Sequence, residues 1–533
     1  MRHLIPPSTP LLLAAVLATS ACPPVAPAPE EPFAGGFDAS GFFWDGGGWD
    51  AALPPPPQFI DLVVDNNRNG ILDPANPSEE ADEDTPGPGH GAIFLANWDD
   101  DDGDGVRDSE DTWVNGEADL EDLAPVLVRA WSGAPPTVRG VLLVDEVARP
   151  HVRLHRAGAV AGADAYRPEE DLSAVPLSAE EVRLGVRFGL EGLRIVEATR
   201  AGSWDGTVTI TYSVLPEDGG LVGQDKVRLR VAPLVFQYNT APTEAVFYPD
   251  LGADSRKLAA GITAMSAGSN FTPWPLDMDH RRLEEDPWAQ DYFDVASMTR
   301  PGPGGAAVGM KVAIKSPQPD RKAGNVTTVR LLGPGWGAYS LVSRNPDLES
   351  YGYSLSSFGN WDVIPPYDKG EEHYPLGRNL WGQGETREVQ PDPVYAEMVR
   401  AQGVQPAVVV DTTWLTVGHV DEVTSWVKSN TPRGWGLLTG SAAEARAMLL
   451  ELEQQGHGEV RMFQGKRWMD EWGRETSAAI SVSAVLSNAD IMAASQNAQL
   501  WMDDVAWPRR RWWSCPSCLR PPTAGRWPTS RTP

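Results

Sequence analysis

Cysteine is nearly missing from this chain. Three occur in 533 residues, Cys22, Cys515 and Cys518, and none lies between the first and the second. The body of the protein is therefore not a disulfide scaffold. Basic residues are scarce beside acidic ones: 44 Lys and Arg against 73 Asp and Glu, for a formal net charge of -29. A chain of that sign does not bind nucleic acid or anionic membranes non-specifically, and it attracts cations and basic partners. A nucleotide cradle is missing too. "GPGPGH" and "GPGG" are turn-rich loops, without the strand-to-helix junction that holds phosphates. The apolar run at the N-terminus, "LLLAAVLATSAC", is too short for a membrane span.

Glycine (52) and proline (48) are plentiful, apolar residues make up 41% and charged residues 22%. This composition favours a loop-rich, strand-rich architecture over long helices. The length suffices for roughly two to four domains with cores of their own. Arg2, His3 and the apolar run ending at Cys22 read as an export signal, with small residues before the cysteine in the manner of a bacterial lipoprotein, although Thr19 departs from the usual pattern. Residues 1–22 are thus expected to be a signal, and the Pro/Gly-rich residues 23–57 a tether. The expected location is the cell envelope, as a lipoprotein anchored through Cys22, or secreted.

The acid is concentrated between Asp61 and Asp122. "FIDLVVDNNRNGILD" runs from an apolar strand into Asp65, Asn67, Asn69, Gly70 and Asp73. Oxygen ligands at alternate positions with a glycine at the turn are what a calcium loop needs, because a hard cation takes six to eight oxygens. A second loop, "GAIFLANWDDDDGDGVRDSED", offers Asn97, Asp99, Asp101, Asp102, Asp104 and Asp108, and "DLEDL" adds Glu121 and Asp122. The competing reading is a solvated acidic linker, which has no use for turn glycines or preceding strands. From Pro125 to Ala241 short runs such as "TVTITYSVL" and "KVRLRVAPLVF" alternate with period two, the pattern of an Ig-like sandwich. His151 and His155 fall in this region and read as surface residues. From about Thr243 helical and strand stretches mix. After "QLWMDDV" the tail carries six Arg and no acid. It reads as an out-of-frame translation or as a genuine basic extension. "CPSC" is a lone CxxC, weak as a zinc half-site or a redox motif.

"WLTVGHVDEVTSWV" (414–427) places His419 and Asp421 two residues apart in an apolar run. An imidazole beside a carboxylate can exchange protons, and the bland alternative is a satisfied core histidine. Two further stretches change the balance: "EEDPWAQDYFD" (284–294) and "SSFGNWDVIPPYDKGEEHYPLGR" (356–378).

"PWAQDYFD" resembles the RWIQDE-type segment of the protein-arginine deiminases, "WLTVGHVDEVTSWV" their WL-VGHVDE-LSFV, and "FGNWDVIPPY…YPLGR" their FGNLEVSPP…YPLGR. "GHGEVRMFQG" has a counterpart, and "GAIFLANWDDDD" with "VRLRVAPLVFQYNTAPTEAVF" resembles the calcium-binding middle domain. The resemblance runs from about Phe59 to about Val505. It implies an α+β multidomain fold: a calcium-binding Ig-like β-sandwich over 58–241, a pseudo-fivefold α/β propeller, incomplete, over 242–505, and an atypical tail over 506–533.

The implied activity is calcium-dependent hydrolysis of peptidyl-arginine to peptidyl-citrulline and ammonia. Asp291 and Asp421 would grip the guanidinium, a planar fork suited to bidentate pairing. His419 would protonate the departing ammonia and then activate water. Trp288 would flank the substrate stem, and Arg321 corresponds to a substrate-backbone arginine. The implied calcium ligands are Gln290, Asp294, Phe358, Trp361 and Asp362 in the catalytic part, and Asn97, Asp99, Asp101, Asp108 and Asp122 in the middle domain. Asp65, Asn67, Asn69 and Asp73 add the first loop. Tyr292 and Lys315 stand where the family has acidic ligands. The family's nucleophilic cysteine lies in a GEVHC-TN-like segment that this sequence does not contain. The last propeller unit is expected to be missing with it, and the chain to be inactive. The partners implied are arginine-containing proteins or peptides. Two other readings stay open: a non-catalytic calcium-binding surface lipoprotein, and a pseudoenzyme that binds arginine peptides without turnover.

Overall fold

Strand alternation is clearest in "TVTITYSVL", and the computed structural model makes it one strand whose residues are alternately half-exposed and buried along its whole length. Residues 59–506 are described, apart from 88, 115, 159–161, 163–164, 219, 344–349 and 470–473. The expected leader, tether and basic tail, with all three cysteines, lie outside the described residues.

Ten strands build the first part. They are β1 (Leu62–Val63), β2 (Ala92–Phe94), β3 (Ala124–Val128), β4 (Arg139–Val144), β5 (Val152–Arg156), β6 (Arg167–Pro168), β7 (Val175–Leu177), β8 (Val186–Gly192), β9 (Thr207–Leu215) and β10 (Gly223–Val231). Two five-stranded sheets result, in the orders β1-β3-β8-β5-β6 and β2-β10-β9-β4-β7. Val126, Phe188 and Leu190 of one sheet and Leu142, Ile210, Tyr212 and Leu229 of the other share one buried core, as period-two strands with an apolar inner face require.

The second part is a series of smaller sheets. β11 (Val235–Phe236) is an edge of the sheet β11-β14-β15-β16, and β12 (Ala245–Asp250) pairs in parallel with β13 (Thr272–Asp277). β14 (Phe293–Pro301) and β15 (Ala307–Lys315) form an antiparallel hairpin in which Phe293 faces Lys315, and β16 (Trp336–Ser340) lies parallel to β15. β17 (Trp361–Ile364) pairs with β20 (Arg378–Gly382), which is followed in the sheet by β21 (Val408–Val410); β18 (Tyr367–Lys369) and β19 (Glu372–Tyr374) form a small hairpin between them. β22 (Thr424–Lys428) and β23 (Trp435–Thr439) close another hairpin. The helix Pro393–Gln402 has the ends its sequence calls for. The Asp392 side chain accepts from Val394 N, proline opens the first turn, and Gly403 takes a left-handed φ of 72° at the end.

The two parts are stitched together by named contacts. Gln402 accepts from Leu234 N at 2.9 Å and donates to Val196 O at 2.8 Å. Trp98 stacks on Tyr339 with ring centroids 4.6 Å apart. The acidic loops lie at this seam. Asp99 Oδ2 accepts from Gly335 N at 2.9 Å. Gly70 sits so close to the β14–β15 turn that a side chain there would fall 2.0 Å from the carbonyl carbon of Gly302.

The histidine expectations need correction. His155 is not a surface residue. It is 1% exposed, and its Nε2 lies 2.9 Å from Glu191 Oε2, which Arg153 also holds. On β5 Val152 and Leu154 face the shared core, so His155 lies on the opposite face, where burying the imidazole requires a partner. His151 is half-buried, with its ring stacked flat on Trp204 at 4.4 Å. Among the described residues no helix is long and apolar enough to cross a membrane.

Candidate active site

Three short helical turns, each running into a strand, build the site. Ala289–Tyr292 leads into β14, Phe358–Asn360 into β17, and Val420–Glu422 into β22. The middle turn packs against the other two. Gly418, at φ 86°, makes the bend that delivers His419 to the third turn, a conformation glycine adopts without a steric penalty. Asp291, His419 and Asp421 therefore converge from segments 128 residues apart (291 to 419 in the numbering), and one ligand atom of each lies within 4.8 Å of the others.

Gly359 is the floor on which they meet. A β-carbon at this position would lie 2.5 Å from Asp291 Oδ1, 2.6 Å from His419 Nδ1 and 2.9 Å from Asp421 Oδ2. The glycine of "FGNWD" thus lets these three side chains close on the backbone at one point. Sequence reasoning misses it as a site residue, although it stands inside one of the motifs that carry the family resemblance.

His419 is 5% exposed. Its Nε2 lies 2.9 Å from the carbonyl oxygen of Ser354. A carbonyl can only accept, so Nε2 carries a proton and donates it there. That leaves Nδ1, 3.6 Å from Asp291 Oδ1, as the atom free to take up or release a proton inside the cluster. The backbone N–H of His419 donates to Glu422 Oε1 at 3.0 Å, which fixes the turn. Asp421 keeps contact with solvent but is crowded by protein. That crowding, with the negative charges of Asp291, Glu422 and Asp362 around it, pushes its carboxyl up to about 6 against the opposing pull of His419.

Arg321 does not stand apart from the carboxylates. Its Nη2 lies 3.1 Å from Asp291 Oδ2, its Nε donates to Asp286 Oδ2 at 2.8 Å, and its Nη1 donates to Gln318 Oε1 at 3.1 Å. The register explains this. Phe293 pairs with Lys315, so the segments before β14 and after β15 leave the sheet side by side. A guanidinium on Asp291 also argues against reading Asp291, His419 and Asp421 as a divalent-metal triad, since the two cations would repel. Trp288 is 67% exposed beside this cluster, as a residue flanking a substrate stem can be.

The second group of expected residues is partly gathered. Asp294 and Asp362 each stand second in a strand that follows a turn of the site. Burial pushes Asp294 up to about 6 and Asp362 up to about 7, and the charge of Asp294 adds to the second shift. Phe358 and Trp361 are buried beside them with rings 5.2 Å apart, and the Phe358 carbonyl accepts from Trp361 N. Gln290 is exposed. At the two positions where acidic ligands were expected, Tyr292 is fully buried and Lys315 donates from Nζ to Asn325 Oδ1 at 2.8 Å. Burial lowers the lysine's proton affinity.

The acidic loops separate into distinct faces. Asp99, Asp101 and Asp122 bring carboxylate oxygens within 4.8 Å of one another. Burial first, then mutual repulsion, pushes Asp99 up to about 7 and Asp122 up to about 8. Asn97 joins this face: its Nδ2 donates to Asp119 Oδ1 at 2.9 Å, and its Oδ1, like Asp99 Oδ1, is buried without a hydrogen-bond partner. Buried acceptors without donors, next to a cluster of carboxylates, fit a hard cation.

Asp108 brings a carboxylate oxygen within 4.8 Å of those of Asp100 and Asp102. Burial pushes it up to about 9, and the charges of Asp119, Asp99 and Asp101 also act on it. Asp119 was not among the expected ligands, although "DLEDL" held the signal. In the first loop Asp65 accepts from Asn69 N and Gly70 N, Asn67 from Asn69 N, and Asn69 from Ile71 N. The Asn67 amide is turned towards Glu79 at 2.8 Å, and Asp73 is exposed and caps Ala75 N.

Comparison with known proteins agrees with this geometry. The family model for the protein-arginine deiminase (PAD) matches residues 221–507, and that for the protein-arginine deiminase (PAD) middle domain matches 59–213. Rat protein-arginine deiminase type-4 is 30% identical over 427 residues, which is 76% of this chain and 60% of the relative. Human protein-arginine deiminase type-3 is 30% identical, with 78% of this chain and 61% of the relative covered. For human protein-arginine deiminase type-1 the identity is 26%, with 83% and 65% covered. The chain thus spans somewhat under two thirds of the length of these relatives. With a family model covering more than half of its residues, the chain belongs to the protein-arginine deiminase family.

Proposed function

We propose that this chain binds the side chain of peptidyl-arginine between Asp291 and Asp421 and belongs to a calcium-dependent hydrolase that forms peptidyl-citrulline and ammonia. The observation that carries this is the gathering of Asp291, His419 and Asp421 over the bare face of Gly359, with Asp291 in contact with a guanidinium. Two carboxylates opposite one planar cation give bidentate, charge-assisted hydrogen bonds. His419, with Nε2 committed to Ser354 O, would deliver a proton from Nδ1 to the departing amine and accept one from the attacking water. Trp288 would cover the aliphatic stem.

Hydrolysis also requires a thiolate to attack the guanidinium carbon. The described residues contain no cysteine, and the sequence carries no GEVHC-TN-like segment. That observation favours a second reading, in which the chain binds arginine peptides without turning them over. The acidic loops hold calcium through Asn97, Asp99, Asp101 and Asp122, and the catalytic part through Asp294 and Asp362 with the carbonyls of Phe358 and Trp361. Bound calcium would supply the positive charge that lets these carboxylates stay ionised together. On this reading the first part is an Ig-like sandwich, the three turn-and-strand units belong to a propeller, and the protein is exported, anchored through Cys22 or secreted.

The test measures citrulline release from an arginyl peptide, and binding of the same peptide by calorimetry, each with calcium and with chelator. Calcium-dependent binding that Asp291→Asn removes is the expected result. Peptide binding indifferent to that substitution would exclude the reading. Citrulline formed by this chain would exclude the binding-only form of it and direct attention to Cys515 and Cys518.

A further inference from the structure

We infer that Arg321 is a resident guanidinium that occupies Asp291 until an arginine ligand displaces it, and that it sets the preference of the site for arginine over lysine. The inference rests on the proposed role of Asp291. Three features of the geometry carry it. First, Arg321 Nη2 lies 3.1 Å from Asp291 Oδ2, so the cation on that carboxylate has the chemistry the site would bind. Second, Arg321 has an independent anchor: Nε on Asp286 Oδ2 at 2.8 Å and Nη1 on Gln318 Oε1 at 3.1 Å, with the guanidinium 5.8 Å over the Tyr292 ring. When a ligand takes Asp291 the arginine keeps Asp286 and Gln318, so it need only yield one contact. Third, the pair is largely withdrawn from water, the side chains of Arg321 and Asp291 being 13% and 19% exposed. A carboxylate so placed is costly to leave without a counter-ion.

The consequence is selectivity. A ligand gains at Asp291 only the difference between its own contact and that of Arg321. A planar fork replaces a planar fork, whereas a lysyl ammonium, a compact point charge, replaces it poorly. Discrimination between two ligands is a difference of affinities, and a built-in competitor raises it against the weaker one. Without Arg321, Asp286 and Asp291 would present two unpaired carboxylates that accept any cation.

The experiment compares binding of an N-acylated arginine amide and of its lysine counterpart to the full chain by calorimetry, in the presence of calcium. In Arg321→Met the arginine ligand is expected to bind about fivefold tighter and the lysine ligand to gain more, so that the preference narrows. Arg321→Lys keeps a cation for the fold and is expected to lie between. It serves if the methionine variant does not fold: retention of full wild-type preference in Arg321→Lys would overturn the inference. Weaker arginine binding in Arg321→Met would make Arg321 an ordinary contact of the ligand and likewise overturn it, with the role of Asp291 intact. If no form of the chain binds the arginine ligand, the reading of Asp291 fails and the inference with it.

Discussion

At the scale of single residues, Gly359 decides whether there is a site at all. Any side chain there would meet Asp291, His419 and Asp421 at once. His419 is buried and Asp291 is held by Arg321, so neither moves aside freely. Gly359→Ala is therefore expected to reduce affinity for an arginyl peptide by tenfold or more (about 1.4 kcal/mol) with little change in the far-ultraviolet spectrum. Calorimetry would check this, and unchanged affinity would mean the ligand lies elsewhere. Asp421 adds a pH signature. Its carboxyl is pushed up to about 6, so it is neutral below that value and ionised above. Affinity for the guanidinium cation should rise between pH 5 and 7 and level off above. In Asp421→Asn the rise should vanish and the affinity stay low throughout. A wild-type profile that is flat across this window would rule out ionised Asp421 as a ligand contact.

At the scale of elements, what is legible in the sequence is what repeats or clusters locally. The period-two run Thr207–Leu215 is a strand because Val208, Ile210, Tyr212 and Val214 all face one core. Ile210 is fully buried there. Ile210→Ala is expected to cost about 3 kcal/mol, the usual range for such a truncation, read from the midpoint of urea unfolding. A cost below 1 kcal/mol would mean that the two sheets do not share a tight interior. The motif around His419 is legible for a similar reason, since its residues are adjacent in the chain.

Long-range partnerships are not legible in this way. His155 has the look of a solvent-facing strand residue because nothing local announces Glu191 on β8, 36 positions on. Arg321 has the look of a ligand contact because its pairing with Asp286 and Asp291 depends on the register of the β14–β15 hairpin. Asp99, Asp101 and Asp108 stand close enough in the sequence to suggest one ligand set. The loop bends at Asp99, Asp101 and Asp102, so which carboxylates Asp108 joins depends on how it closes.

At the scale of the whole molecule, the acid loops tie stability to calcium and pH together. Asp99, Asp108 and Asp122 are held up to about 7, 9 and 8 in the fold by burial and by one another. In the unfolded chain they titrate near 3.9. Folding therefore takes up protons, and the sign follows from linkage. The favourable contribution of protonation is complete below about pH 4 and is lost as pH rises through 7 to 9. Without a divalent cation, the thermal midpoint should accordingly fall between pH 6 and 9.

On the proposed reading calcium would bind the ionised carboxylates and reverse this. Saturating calcium at a hundred times its dissociation constant would add about 2.7 kcal/mol per site, and the gain should be larger at pH 8 than at pH 6, because protons compete for the same oxygens. Asp99→Asn together with Asp122→Asn should weaken both effects, leaving the pH dependence that Asp108 contributes. It should raise the midpoint of the calcium-free protein at pH 8, since two mutually repelling buried carboxylates disappear, and it should abolish most of the increment from calcium. These loops abut Gly335 and the turn at Gly302, on the sheet whose β14 begins next to Asp291. The same variant is therefore expected to weaken arginyl-peptide binding even though it touches no residue of that site. Calorimetric scans with and without calcium at the two pH values would decide it. A calcium increment of equal size at pH 6 and pH 8 would mean that the ion does not sit on these carboxylates.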